Sequence, residues 1–159
     1  MLTVSPAIPL SKFDLTVSGG TELHRINGQI VFDGVINCAR TCLDNGIPVG
    51  LGTDTACPFV THYDMWRELN YFHKYLGVSN AFAIHTATLL NAKIAQIDDV
   101  TGSIAVGKSA DFMVVENNPL DDLSALRTPK MVVLRGKVIK NPKVKKYQYV
   151  EDMLDEYAK

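Results

Sequence analysis

Between residues 29 and 45 the apolar positions Val31, Val35, Cys38 and Cys42 fall at i, i+4, i+7 and i+11, with Ala39 and Leu43 beside them. That spacing predicts one face of an α-helix, and Asn45-Gly46 is suited to end it with a left-handed cap. Ile47 to Leu51 follows as a short apolar run, the pattern of a strand buried on both faces of a parallel sheet. A second helix is predicted from about Thr61 to Leu76, with Met65, Leu69, Phe72 and Leu76 as its stripe and Gly77 as its stop. Ser79 is a good N-cap for a third helix with the stripe Ala83, Ala87, Leu90 and Ile94.

Before these elements, Leu2 to Val4 reads as a short strand. Pro6 and Pro9 then break the pattern, and residues 11–28, with Gly19-Gly20 and Asn27-Gly28, are expected to form a long loop. After about residue 101 the period changes. Phe112 to Val115 reads as a strand, and Met131 to Leu134 and Lys137 to Ile139 flank Arg135-Gly136 as a hairpin. Val150, Met153, Leu154 and Tyr157 predict a docked C-terminal helix. The pattern divides into an α/β part over residues 1–100, a small β unit over 101–142 and a terminal helix over 143–159.

Composition narrows the class. The 159 residues are 47% hydrophobic and 21% charged with a net charge of -1, an ordinary globular balance with no pull toward nucleic acid. No run approaches the roughly 18 apolar residues of a membrane span, and the N-terminus lacks the layout of a signal peptide, so the expected location is cytoplasmic. Three cysteines, an odd number, argue against a disulfide framework. Cys38 and Cys42 are expected to be small core residues beside Val31 and Val35, a metal or redox role being the alternative.

The chemically suggestive stretch is Gly50-Leu51-Gly52-Thr53-Asp54-Thr55. It places a carboxylate just beyond a buried parallel strand, where (β/α) barrels build active sites. Such an Asp can bind a cation through oxygen or take a proton from water. An Asp after a strand is also a common cap or turn residue. His62, at the start of the second predicted helix, is a candidate substrate contact against the alternative of a polar helix start. Glu68 reads as helix surface, His73 as solvated, His85 as a packing or surface residue, and Trp66 and Tyr71 as core or interface. Cys57 and Phe59 lie in the loop after Asp54, where Phe59 suggests an apolar pocket wall.

Several of these segments together resemble the metal-dependent amidohydrolase superfamily, in particular its imidazolonepropionase-like and Xaa-Pro dipeptidase-like members. The match starts at Asn45-Gly46-Ile47-Pro48-Val49-Gly50-Leu51-Gly52-Thr53-Asp54. It continues through Glu68-Leu69, Gly77-Val78-Ser79, Ala83-Ile84, Thr86-Ala87-Thr88 and Asn91-Ala92. The segment Gly102-Ser103-Ile104-Ala105-Val106-Gly107-Lys108-Ser109-Ala110-Asp111, about 50 residues after Gly52, is the most specific, and Asn118-Pro119-Leu120 and Val138 follow it. The resemblance implies the C-terminal part of a (β/α)8 barrel, about strands seven and eight, plus part of a small β-sandwich. It implies hydrolysis of a C–N bond in an amide, cyclic amide or dipeptide by metal-activated water, with Zn2+ as the expected metal. Asp54 would be both a metal ligand and the base that activates water, and Lys108 and Asp111 would be structural turn residues.

The family's remaining ligands, an H-x-H pair, a carboxylated Lys or Glu and two later histidines, have no counterparts here. His24, His62, His73 and His85 form no H-x-H. A complete barrel takes about 250 residues, and a catalytic zinc about three protein ligands. The expectation is therefore an incomplete fold, inactive and without bound metal as an isolated chain. It would expose barrel edges, and so self-associate or dock onto a complementing N-terminal chain. The alternative is a non-enzymatic remnant or assembly module.

Overall fold

The structure, a computed structural model, describes residues 2–158. The stretch expected to be a loop is helical: α1 spans Ala7–Lys12, α2 Leu15–Ser18, and α3 Glu22–Asp44. Pro6 sits at the N-cap of α1 and Pro9 in its first turn. No intrahelical N–H is required at those places, so the prolines do not break the helix. Asp14 starts α2 by accepting from the Thr16 amide at 2.8 Å. α3 starts at Glu22 rather than at residue 29 because Thr21 and His24 cap each other. The His24 amide donates to Thr21 Oγ1 (3.3 Å) and the Thr21 amide to His24 Nδ1 (3.2 Å), so histidine takes the part usually played by Glu or Gln.

The buried face of α3 is Gly28, Phe32, Ile36 and Ala39. This corrects the expected face: Val31 is 52% exposed and Cys38 is exposed, while Val35 and Cys42 sit at the margin of the core. Phe32 and Ile36 offer more apolar area than the expected set, and the Phe32 ring meets Tyr75 edge-on at 4.9 Å. α1 crosses α3 so closely that a Cβ on Gly28 would lie 2.7 Å from the carbonyl carbon and oxygen of Leu10. A backbone neighbour cannot swing aside, so Gly28→Ala is expected to cost about 1–3 kcal/mol. Urea denaturation checks this; an unchanged midpoint would show that α1 is not packed in this way.

Of the two strands expected before residue 101 only fragments form. Leu2 and Leu51 make an isolated parallel bridge, and neither Leu2–Val4 nor Ile47–Leu51 becomes a regular strand. Gly46 and Gly77 are left-handed, as expected of helix stops, and the Ser79 hydroxyl accepts from the Phe82 amide at 3.1 Å. α4 (Met65–Leu76) is buried on most of its circumference, with Trp66, Leu69, Tyr71 and Phe72 in the interior. Arg67 and Glu68 are buried as well, so Glu68 is not the surface residue its charge suggested. Glu68 instead receives Val4 N–H (2.7 Å), Ser5 N–H (2.8 Å) and Ser5 Oγ–H (2.5 Å), pinning the turn that enters α1.

α5 (Asn80–His85) continues through a π-helical turn at Thr86–Leu90 into α6 (Asn91–Ile94). The wide turn rotates the helix face. Ala83, Thr86 and Ala92 are buried, whereas Ile94 of the expected stripe is 48% exposed.

The β unit is a three-stranded antiparallel sheet in the order β1 (Phe112–Val114), β2 (Met131–Leu134), β3 (Lys137–Lys140). Arg135 and Gly136 both have positive φ, the primed turn that suits a two-residue hairpin. Asp111 accepts from Thr101 Oγ1 (3.2 Å) and from the Arg135 amide (2.6 Å), and Lys108 Nζ donates to Ser103 Oγ at 2.8 Å. Both therefore act as turn residues. The hydrogen bond donated by the Arg135 backbone N–H, above all, holds the Asp111 carboxyl below its ordinary value.

The last helix, α7 (Gln148–Ala158), docks through ions. Arg67 reaches Asp64 (3.1 Å), Glu151 (3.2 Å) and Asp155 (2.6 Å), and Arg127 reaches Glu151 (2.6 Å) and Asp155 (2.9 Å). Among the described residues no helix is long and apolar enough to cross a membrane.

Candidate functional site

The segment that carries Asp54 is fixed from both sides of its backbone. On one side Leu2 N–H donates to Gly50 O (2.6 Å) and Gly52 N–H to Leu2 O (2.9 Å). On the other, the side-chain amide of Asn91 takes both polar groups of Leu51: Oδ1 accepts from its N–H at 2.9 Å and Nδ2 donates to its C=O at 2.8 Å. Gly50 makes room for this, since a Cβ there would stand 2.7 Å from Asn91 Oδ1. Asn91→Ala leaves that N–H and C=O unpaired in a half-buried place, at an expected cost of about 1–3 kcal/mol. Amide hydrogen exchange at Leu51 reports it, and unchanged protection would refute the clamp.

Beyond Gly52 the chain enters a tight loop. Asp54, Ala56 and Phe59 all have positive φ, at 53°, 88° and 65°. Non-glycine residues adopt this region at a cost, and such residues gather at functional loops. The loop is held by Thr53 Oγ1 against Thr55 Oγ1 (2.7 Å) and by Val60 N–H to Cys57 O (3.0 Å). Phe59 turns its ring edge-on against Phe13, at 5.2 Å between centroids, and also lines a small cleft with Val60, Asp64 and Tyr71. The Asp54 side chain is exposed, and the Cys57 thiol donates to its Oδ2 at 3.4 Å. Burial, then the Asp54 carboxylate, pushes the Cys57 thiol above its ordinary value, which makes it a poor nucleophile.

His62 lies exposed in the turn before α4, its ring edge-on to Tyr63 at 5.2 Å. Among the described residues no hydrogen bond or ring contact joins it to Asp54. The other histidines serve local structure: His24 caps α3, His73 Nδ1 meets the Val78 carbonyl at 2.6 Å, and His85 lies beside Phe82. Among the described residues no three His, Cys, Asp or Glu side chains converge to hold a metal ion. The donor set around Asp54 is one carboxylate and one thiol, which does not fit a zinc site.

Asp64 closes the loop from below. It accepts from Thr61 Oγ1 (2.8 Å), Trp66 Nε1 (3.1 Å) and Arg67 Nε (3.1 Å). The sequence did not single out Asp64 or Arg67, gave Glu68 only as helix surface and part of the family match, and gave Asn91 no structural role. For Asn91 the one available signal was its place in the Thr86–Ala92 part of the family match.

A large concavity lies elsewhere. A groove of about 1090 Å³ runs between α4, the α5–α6 helix and β1, lined by Met65, Trp66, Ile84, Ala87, Phe112 and Met113 among others. Neither Asp54 nor His62 lines it.

The chain is similar to known proteins over most of its length. The Amidohydrolase family model matches residues 26–139. A protein from Bifidobacterium longum, provisionally named a prolidase, has a solved structure that superposes with a TM-score of 0.93 at 40% identity, over 96% of this chain and 38% of its own. A Xaa-Pro dipeptidase solved with methionine in its active site gives a TM-score of 0.73 at 28% identity, over 86% of this chain and 33% of that one. Ochratoxinase of Aspergillus niger is 30% identical over 119 residues, 72% of this chain but 24% of the enzyme. The chain thus spans about a quarter of that relative's length and somewhat over a third of the first structure's. With its matched region covering the Asp54 loop, the Asn91 clamp and the three-stranded sheet, the chain belongs to the amidohydrolase family.

Proposed function

We propose that this chain supplies one segment of a hydrolase that cleaves C–N bonds in small amide or dipeptide substrates. The observation that carries the reading is Asp54: an exposed carboxylate in left-handed backbone, one loop beyond a clamped parallel bridge, in a family of hydrolases. In this reading Asp54 would be one of several ligands to a divalent metal, expected to be Zn2+, and would take a proton from the attacking water. His62, exposed at the head of α4, contacts substrate. Residues 1–100 form the end of a (β/α)8 barrel, 101–142 part of a β-sandwich and 143–159 a terminal helix. One carboxylate falls short of the roughly three protein ligands of a catalytic zinc. The isolated chain is therefore expected to be inactive, the remaining ligands lying in parts of the hydrolase that these residues do not include.

The test is reconstitution. The chain is co-expressed with the part of the Bifidobacterium longum relative that it does not cover, then supplied with Zn2+ and assayed on Xaa-Pro dipeptides and simple amides. Hydrolysis by the complex, silence of the chain alone, and a loss of about 10²–10⁴-fold in Asp54→Asn are expected, the usual range for a general base. Full activity of Asp54→Asn would sink the reading, and tight stoichiometric Zn2+ binding by the chain alone would refute its incompleteness.

A second reading, an assembly module without catalysis, is favoured by the open apolar groove beside β1. Association of the chain without any gain of activity on reconstitution would select it.

A further inference from the structure

Cys38 and Cys42 lie four residues apart on α3, Cys38 exposed and Cys42 half-buried, packed at the margin of the core. Both are free. Neither belongs to the Asp54 loop.

Helix geometry sets what such a pair can do. Side chains at i and i+4 have Cβ atoms about 5–6 Å apart, whereas a disulfide needs about 3.5–4.5 Å. The pair therefore cannot close on itself while α3, a helix of 23 residues, stays intact. The separation that is too wide for a direct S–S bond suits two sulfurs bonded to one bridging atom. The ligand this selects is thiophilic, accepts two thiolates at a single centre, and is approached from the exposed Cys38 side.

We propose that Cys38 and Cys42 form a chelating dithiol site for trivalent arsenic. With an organoarsenic oxide the reaction balances without an oxidant. Two S–H bonds and the arsenic–oxygen bond break, two As–S bonds form, and the oxygen leaves with both protons as one water. Arsenic remains trivalent. Cys57 lies in a separate loop with Asp54 as its neighbour, and as a single thiol can form only a one-bond adduct.

The probe is phenylarsine oxide, added to the full chain and followed by intact mass and by counting free thiols. One arsenical per chain is expected, the count falling from three thiols to one. The adduct should survive excess glutathione and be released by a dithiol. It should outlast a one-thiol adduct by on the order of 10²-fold, the gain expected when the second bond forms within the same molecule. Cys38→Ser and Cys42→Ser should each lose this persistence, and Cys57→Ser should keep it. Cys38 is exposed, so its serine variant tests the site without disturbing the fold, and circular dichroism should show the same helix content with and without the arsenical. Loss of the adduct in glutathione, persistence in Cys38→Ser, or dependence on Cys57 would each overturn the proposal.

Discussion

Arg67→Ala is expected to lower the free energy of unfolding by about 3–5 kcal/mol, the range for removing one partner of a buried ionic network. Arg67 is 1% exposed, and its partners Asp64 and Glu151 are 4% and 0% exposed. Without the guanidinium these carboxylates stay in the interior with less compensating charge, and the stacking of Arg67 on Trp66, 4.7 Å away, is lost too. Lysine should not rescue the variant, since one ammonium cannot reach three carboxylates with the planar fork of arginine. Because Glu151 and Asp155 lie on α7, that helix should detach first. Urea denaturation gives the free energy, and limited proteolysis near Lys146 gives the detachment. Arg127→Ala should cost less, because its side chain is 27% exposed and water screens its pairing with Asp155. A loss under about 1 kcal/mol for Arg67→Ala would mean that α7 is held by Leu154 and its apolar neighbours instead of by charge. None of this makes the network a net source of stability, since an apolar replacement of the whole set can be as stable.

The second large effect depends on pH. Burial pushes the Glu68 carboxyl from 4.5 up to about 7, against the pull of the Ser5 hydroxyl and the Val4 and Ser5 amides. The folded chain therefore binds a proton more tightly than the unfolded one. The associated stability is fully present below pH 4.5 and is lost as pH rises to about 7. At about 1.4 kcal/mol per unit, the loss across that window is about 3 kcal/mol. Glu68→Gln cannot ionise. It should remove this slope while costing about 1–3 kcal/mol where the protonated acid served best, because its NH2 group faces donors. Denaturation of both proteins from about pH 4 to about pH 8 separates them, since other groups titrate alike in each. Parallel stability curves would show that Glu68 keeps one charge state throughout.

What could be read from the sequence was mostly short-range. The stops at Gly46 and Gly77, the cap at Ser79 and the hairpin at Arg135-Gly136 are each decided by a few adjacent residues, and the structure has them all. Asp54 could be picked out as a candidate for the same reason, because Gly50 and Gly52 precede it closely in sequence. The misreadings share a different cause. Glu68 looked like surface because the groups that neutralise its cost of burial, at Val4 and Ser5, lie 64 and 63 residues away. Arg67 meets Asp155 across 88 residues, and Asn91 meets Leu51 across 40. The face of α3 was misjudged by about one residue because Val31 and Cys38 match the helical period as well as Phe32 and Ile36 do. The choice is made by α1 and Tyr75, which the periodicity of α3 does not contain. Prolines in the first turn of α1 and a histidine in a capping box were local signals in unfamiliar form.

The π-helical turn at Thr86–Leu90 acts as a phase shifter within a continuous rod. An α-helix advances about 100° per residue, so one residue accommodated in a wider turn offsets everything downstream by about that angle. Upstream, the rod presents Ala83 to the core; downstream, it presents Asn91 to the backbone of Leu51 and leaves Ile94 to the groove. A uniform α-helix of the same length would serve only one of these two faces. The clamp on the Asp54 segment is thus set by the number of residues between Ala83 and Asn91 as much as by the amide itself, and a change of length there would retune the segment without altering any residue that touches it.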